Sequence, residues 1–182
     1  MSEVSVSQFF KFCNIRITKQ ESKVASKNFV LGMYSDNRHC PRCSYCGTKM
    51  QKVHSTRERY IRDLSLSQKK VSLHLRYFQI FCPKCNRYRV EKFDFLEPSN
   101  RYTLRFARYV HDLSKLMTVK DVSEHLDLDW KTVKNIDKHF LEEEFGDTIY
   151  DGLSILMIDE ISIKKRKKYL TVIVDYATGR IV

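Results

Sequence analysis

The chain has 182 residues and a formal net charge of +11 at pH 7, room for one ordinary domain or two or three small ones. Its pI of about 9.4 points to a polyanionic partner, and no stretch approaches the roughly 20 apolar residues of a membrane span. The opening Met1 to Cys13 has no long apolar run or small-residue cleavage site, so no signal peptide is read, and the expected compartment is a reducing cytoplasm.

Residues 1–39 carry little signal. Phe9-Phe10-Lys11-Phe12 reads as a short helix end, and Asn28 to Tyr34 as a strand leading to the first cysteines. Two knuckles follow, Cys43-Ser-Tyr-Cys46-Gly47 and Cys82-Pro83-Lys84-Cys85. Two thiols separated by two residues give a zinc ion two adjacent tetrahedral corners, and four thiolates close the site as a structural one. Cys40 overlaps the first knuckle and competes with Cys46 as a ligand. Cys43 and Cys46 are preferred, because Gly47 lets the chain turn tightly beneath the metal.

The 35 residues between Cys46 and Cys82 must hold a sizeable hairpin. Val71, Leu73, Leu75, Tyr77 and Phe81 share one parity, while Ser72, His74 and Arg76 take the other, as expected for a strand with one buried face. An earlier strand around Arg59–Arg62 pairs with it through Ser65-Leu66-Ser67-Gln68. From Lys52 to Lys92, 11 Lys or Arg stand against 3 acids. With Tyr60, Tyr77, Phe78 and Tyr88 interleaved, that balance favours nucleic acid, and Arg59 and Arg62 are candidate phosphate contacts.

Pro98-Ser99-Asn100 reads as a linker, after which the period becomes helical. Helices are expected from Thr103 to Met117, from Thr118 or Lys120 to the turn Leu126-Asp127-Leu128-Asp129, and onward from Asp129 as N-cap. This is the order of a helix-turn-helix. On the third helix Val133, Ile136 and Phe140 are assigned to the core. Lys131, Thr132, Lys134, Asn135 and Lys138 then point outward as donors for phosphates and base edges. The plain alternative is a three-helix bundle with a lysine-rich solvated face. Beyond Leu153 come three strands: 153–163, 169–175 and a short 180–182. Asp159 lies in the first of these, where a buried carboxylate needs a metal or a partner such as a lysine from the turn 164–168.

In this order, the knuckles, Leu128-Asp129-Trp130-Lys131-Thr132-Val133, Ile158-Asp159-Glu160 and Tyr169–Arg180 resemble transposases of the ISL-three insertion-sequence family. The resemblance covers residues from about 40 to 182. It implies a multi-domain α+β chain: a zinc-binding ribbon at 40–97 after an N-terminal segment 1–39, a helix-turn-helix unit at 101–146, and the start of an RNase H-like nuclease at 151–182. It further implies that Asp159 is the first of three acids, Asp, Asp and Glu, that hold two Mg²⁺ or Mn²⁺ ions for phosphodiester hydrolysis and strand transfer. The chain stops before any residue fit to be the second Asp or the Glu, so a truncated nuclease, inactive by itself, is expected.

The reading is therefore a zinc-dependent double-stranded DNA-binding portion of a transposase, directed at the element's terminal inverted repeats. The structural cofactor is zinc with Cys43, Cys46, Cys82 and Cys85 as ligands. A homodimer stays open. The alternative is a stand-alone zinc-ribbon and helix-turn-helix regulator. A complete small nuclease using Asp159, Glu160 and Asp175 is disfavoured, because adjacent strand residues point to opposite faces.

Overall fold

The computed structural model describes residues 7–22, 28–36, 38–146, 151–164 and 168–182. The fold is α+β, in two compact units, Met1–Val133 and Lys134–Val182. The first unit is built on a mixed sheet of β1 (Ile15–Ser22), β2 (Asn28–Ser35), β3 (Ser55–Leu66), β4 (Lys69–Cys82) and β5 (Arg87–Val90). Its order is β1-β2-β4-β3, with β5 also on β4. The expected strand at 28–34 is β2, and the expected hairpin is β3–β4, closed by Ser67 (φ 46°) and Gln68 (φ 65°) in left-handed geometry. Two consecutive positive φ angles give a turn that follows the right-handed twist of the strands.

β1, and the parallel pairing of β2 with Lys70–Arg76 of β4, were not legible in residues 1–39. The Phe9–Phe12 run forms only the end of a 3₁₀ turn, Ser7–Phe9. Phe10 is buried, and Phe12 stacks on Phe95 with ring centroids 4.0 Å apart. Together with Phe93 and Leu96 these rings belong to the core formed by Leu31, Met33, Ile61, Val71, Leu73 and Leu75. The alternation is as expected up to Leu75, then reverses: Ile80 and Cys82 are buried and Phe81 is exposed. The far end of β4 serves a second core, with Cys43 and Met50, from its other face.

Pro98–Asn100 is a turn rather than a free tether. The Arg59 guanidinium donates to the Pro98 carbonyl at 2.6 Å, and the next residues add a parallel bridge to β3, Arg62 with Tyr102. Helix α1 (Leu104–Ser114) starts there, its first turn capped by the Thr103 hydroxyl, which accepts from the Phe106 N–H. Thr103 also donates to Asp63 at 2.7 Å, and Arg105 pairs with the same carboxylate. Asp63 is fully buried, so these partners supply what water supplies elsewhere.

Helix α2 (Val119–Leu126) is capped by Thr118, whose hydroxyl accepts from the Asp121 N–H. It ends with Asp127 at φ 51°, ψ 58°. The Leu128 N–H reaches back to the Ser123 carbonyl and the Asp127 N–H to that of Glu124. That pair of bonds normally uses glycine at the left-handed position; Asp is among the few substitutes. Here its carboxylate pairs with Lys70 of β4. Helix α3 (Trp130–Phe145) follows at once. Asp129 accepts from the Lys131 N–H at 2.9 Å, as an N-cap should. The first helix ends three residues short of Met117, because Thr118 must leave helical geometry to cap α2.

In the second unit, after α3, β6 (Leu156–Lys164) and β7 (Lys168–Asp175) form an antiparallel pair. The expected third strand is reduced to a bridge between Val174 and Ile181. Among the described residues no helix is long and apolar enough to cross a membrane.

Replacing Arg105 with Met should lower unfolding free energy by roughly 3 kcal/mol, since it strands a buried carboxylate. Thr103→Val should cost about 2 kcal/mol, through the lost cap and the lost hydrogen bond to buried Asp63. Urea titrations of both variants check this; a change within error for Arg105→Met would show that Asp63 is hydrated.

Candidate metal centre and nucleic-acid interface

Each knuckle is a tight turn after a strand-like entry, and each has a left-handed residue directly behind its second cysteine: Gly47 at φ 71° and Asn86 at φ 51°. The Gly47 N–H bonds to the Cys43 carbonyl at 2.9 Å. The first knuckle docks on the end of β5 through the Ser44 N–H to Val90 and the Lys92 N–H to Arg42. Two cysteine pairs 36 or more residues apart are thereby brought face to face.

The four sulfurs of Cys43, Cys46, Cys82 and Cys85 lie within 4.8 Å of one another. Cys46 and Cys82 are separated by 3.5 Å and Cys43 and Cys85 by 3.9 Å. A tetrahedron with zinc–sulfur bonds of about 2.3 Å has edges of about 3.8 Å, so the cluster fits zinc. Cys40, the competing ligand, is exposed and outside the group. A Thr48 side-chain hydrogen bond pulls the Cys46 thiol down to about 6, while burial pushes Cys85 up to about 12. Without a cation, four thiolates so close together would repel one another. A divalent ion at the centre supplies the compensating charge that lets all four ionise. Thr48 was not singled out in the sequence; its position two residues after Cys46, behind the turn glycine, was the available signal.

On α3, Val133, Ile136 and Phe140 are buried and Lys131, Lys134, Asn135 and Lys138 exposed, with Thr132 half-buried. Trp130, at the start of the helix, is 52% exposed, with the Lys131 ammonium 5.8 Å from its ring centre. Lys138 pairs with Glu142 at 3.3 Å, so the acidic run Glu142-Glu143-Glu144 begins to neutralise the helix one turn beyond it. Arg59 and Arg62 are placed differently. Arg59 lies over the Tyr77 ring at 4.9 Å and Arg62 over Phe106 at 5.4 Å. Burial lowers the affinity of both guanidinium groups for their proton. They hold the 98–106 segment to the sheet.

Asp159 stands opposite Val172 and Glu160 opposite Thr171. Cross-strand partners share a face, so Asp159 lies with Val172, while Glu160 and Asp175 lie on the reverse. The three acids do not converge. Asp159 is exposed rather than buried, as are Ile155, Met157, Ile158 and Ile161. Asp175 is the buried acid: its carboxylate accepts the Thr178 hydroxyl at 2.6 Å and N–H at 3.2 Å. Those bonds hold it below the usual carboxylate range and close the turn after β7.

Residues 39–85 match a family model for the zinc-finger of transposase IS204/IS1001/IS1096/IS1165. Residues 91–141 match one for the helix-turn-helix domain of transposase family ISL3. The transposase for insertion sequence element IS1001 of Bordetella parapertussis is 32% identical over 133 residues, 73% of this chain and 33% of the relative. The match thus spans about a third of that relative's length. No solved structure matches the chain.

The purified protein should contain one zinc per chain. Cys82→Ser should abolish stoichiometric metal, whereas Cys40→Ser should retain it. Elemental analysis decides, and the opposite pattern would place Cys40 in the site.

Proposed function

We propose that this chain, which carries the zinc-finger and helix-turn-helix domains of ISL3-type transposases, is the DNA-binding part of an insertion-sequence transposase. It would act in the cytoplasm on duplex DNA at the element's terminal inverted repeats. A single observation carries the reading: α2 and α3 are joined by a turn sealed at Asp127 and Leu128, and α3 then exposes Lys131, Lys134 and Asn135 along one face. A helix so presented can enter the major groove with its N-terminal residues toward the bases. Asn135 is the residue suited to bidentate pairing with adenine; the lysines, with Thr132 and Lys138, suit phosphates.

The zinc held by Cys43, Cys46, Cys82 and Cys85 is structural in this proposal, tying the two knuckles together at the ends of β4 and β5. Arg59 and Arg62 add to the positive field while anchoring α1. The domain limits that go with this reading are 40–97 for the ribbon, 101–146 for the helical unit and 151–182 for the start of an RNase H-like nuclease. Asp159 would be the first acid of that nuclease, and Mg²⁺ or Mn²⁺ would be needed only with the other two acids in place. Two inverted ends per element suit a homodimer.

Binding to inverted-repeat DNA should weaken steeply with salt, as several released counterions require. At fixed salt, Asn135→Ala should reduce discrimination between cognate and scrambled duplexes by roughly 1–3 kcal/mol. Arg62→Ala should weaken both equally. Unchanged binding in both variants would move the docking face elsewhere.

Residues 1–182 with Mg²⁺ or Mn²⁺ should neither cut nor join DNA, because Asp159 faces away from Asp175 and Glu160 and one carboxylate cannot position two ions. Asp159→Asn should leave DNA affinity intact. Metal-dependent nicking of a supercoiled plasmid that disappears in Asp159→Asn would overturn this.

A further inference from the structure

The face of the zinc hairpin opposite Ile80 and Cys82 has no part in holding the metal, and it is lined with rings. Phe81 and Tyr88 are cross-strand partners on β4 and β5, so their side chains emerge together. Their ring centroids are 5.3 Å apart in an edge-to-face arrangement, and His54 lies 4.5 Å from Tyr88. Phe81 is 43% exposed and Tyr88 55%. An open depression of about 630 Å³ runs beside Phe81, lined also by Lys49, Lys52, Val53, His54 and Pro83.

We propose that this face is a stacking platform for the unpaired bases of single-stranded DNA. Charge selects a nucleic acid: residues 38–57 and 64–90 contain no Asp or Glu, and the exposed Lys49 and Lys52 line the depression together with Phe81. The rings select the unpaired form. In a duplex each base face is covered by its neighbours, so a phenyl ring such as Phe81, which has no donor for a phosphate or base edge, gains little there. Unpaired bases offer bare π-faces, and stacking on aromatic side chains is tolerant of sequence. The exposed stack of Tyr60 on His74 is a weaker candidate, because His74 is bonded to Glu58 and that carboxylate would repel a strand. The platform uses no residue of α3 and stands or falls independently of the duplex site.

The test uses the zinc-loaded full chain and fluorescence anisotropy with an oligothymidylate of about 12 nucleotides, set against an abasic strand of equal length. The abasic strand keeps every phosphate and loses every base. Wild-type protein should bind the thymidylate roughly ten-fold more tightly than the abasic strand. Tyr88→Ala should remove about that factor for the thymidylate only, and Tyr88→Phe should retain it. Equal affinity for the two strands overturns the proposal, since the surface is then only electrostatic. So does a Tyr88→Ala protein with full zinc content that binds the thymidylate as wild type does. Should Tyr88→Ala lose its zinc, the comparison of strands on wild-type protein still decides.

Discussion

One strand carries the first unit. β4 has hydrogen-bonded neighbours on both edges: β3 on one, and β2 followed by β5 on the other. At about 3.3 Å per residue its 14 residues extend roughly 45 Å, longer than one core can cover. The strand meets this by using its two faces in turn. Odd-numbered side chains from Val71 to Leu75 fill the main core, and even-numbered ones from Ile80 to Cys82 fill the smaller core behind the metal site. Because the side-chain period of a strand is two, a slip of one residue would empty both cores and turn Cys82 away from the other thiols. Metal ligation and sheet register are thus one constraint.

Buried acids mark the seams around this strand. Asp63 joins β3 to the start of α1 through Thr103 and Arg105. Glu91, just past β5, accepts the Ser35 hydroxyl and the Phe78 N–H, linking β2 and β4 where the sheet gives way to the knuckles. Each carboxylate is almost wholly removed from water, where an unpaired charge is far more costly than a lost contact. Such groups are poor sources of net stability, but they strongly disfavour any arrangement that separates their partners. Their placement at both borders of β4 suits a unit whose metal site and helices must keep a fixed relation to the sheet.

What could be read from the sequence was what local chemistry decides. The knuckles were legible because ligation demands a fixed short spacing, and the turns into α2 and α3 because Thr118 and Asp129 cap by side-chain hydrogen bonds a few residues away. The hairpin at Ser67–Gln68 followed from alternation on either side. The parallel pairing of β2 with β4 was not legible, since its partners are about 40 residues apart and parallel neighbours leave no turn signature. Phe81 departs from the expected alternation for a physical reason. Apolar alternation and metal ligation gave opposite parities, and the ligand had to win: once Cys82 faces inward, Phe81 faces out. Asp159 was expected in a buried strand because its neighbours are apolar, yet an apolar run does not reveal what covers it.

The topology also orders events as the chain leaves the ribosome. β1 and β2 emerge first and can pair as a hairpin, but the free edge of β2 is reserved for β4. The first knuckle emerges next with two of the four ligand thiols, Cys43 and Cys46. β3 follows, and its partner is also β4. Sheet edge, waiting strand and half-filled metal site all remain incomplete until residues 69–85 appear, and that one segment completes all three. The nascent chain therefore carries an open strand edge and paired reduced thiols together for the same interval, a period in which edge pairing with another chain and thiol oxidation compete with folding.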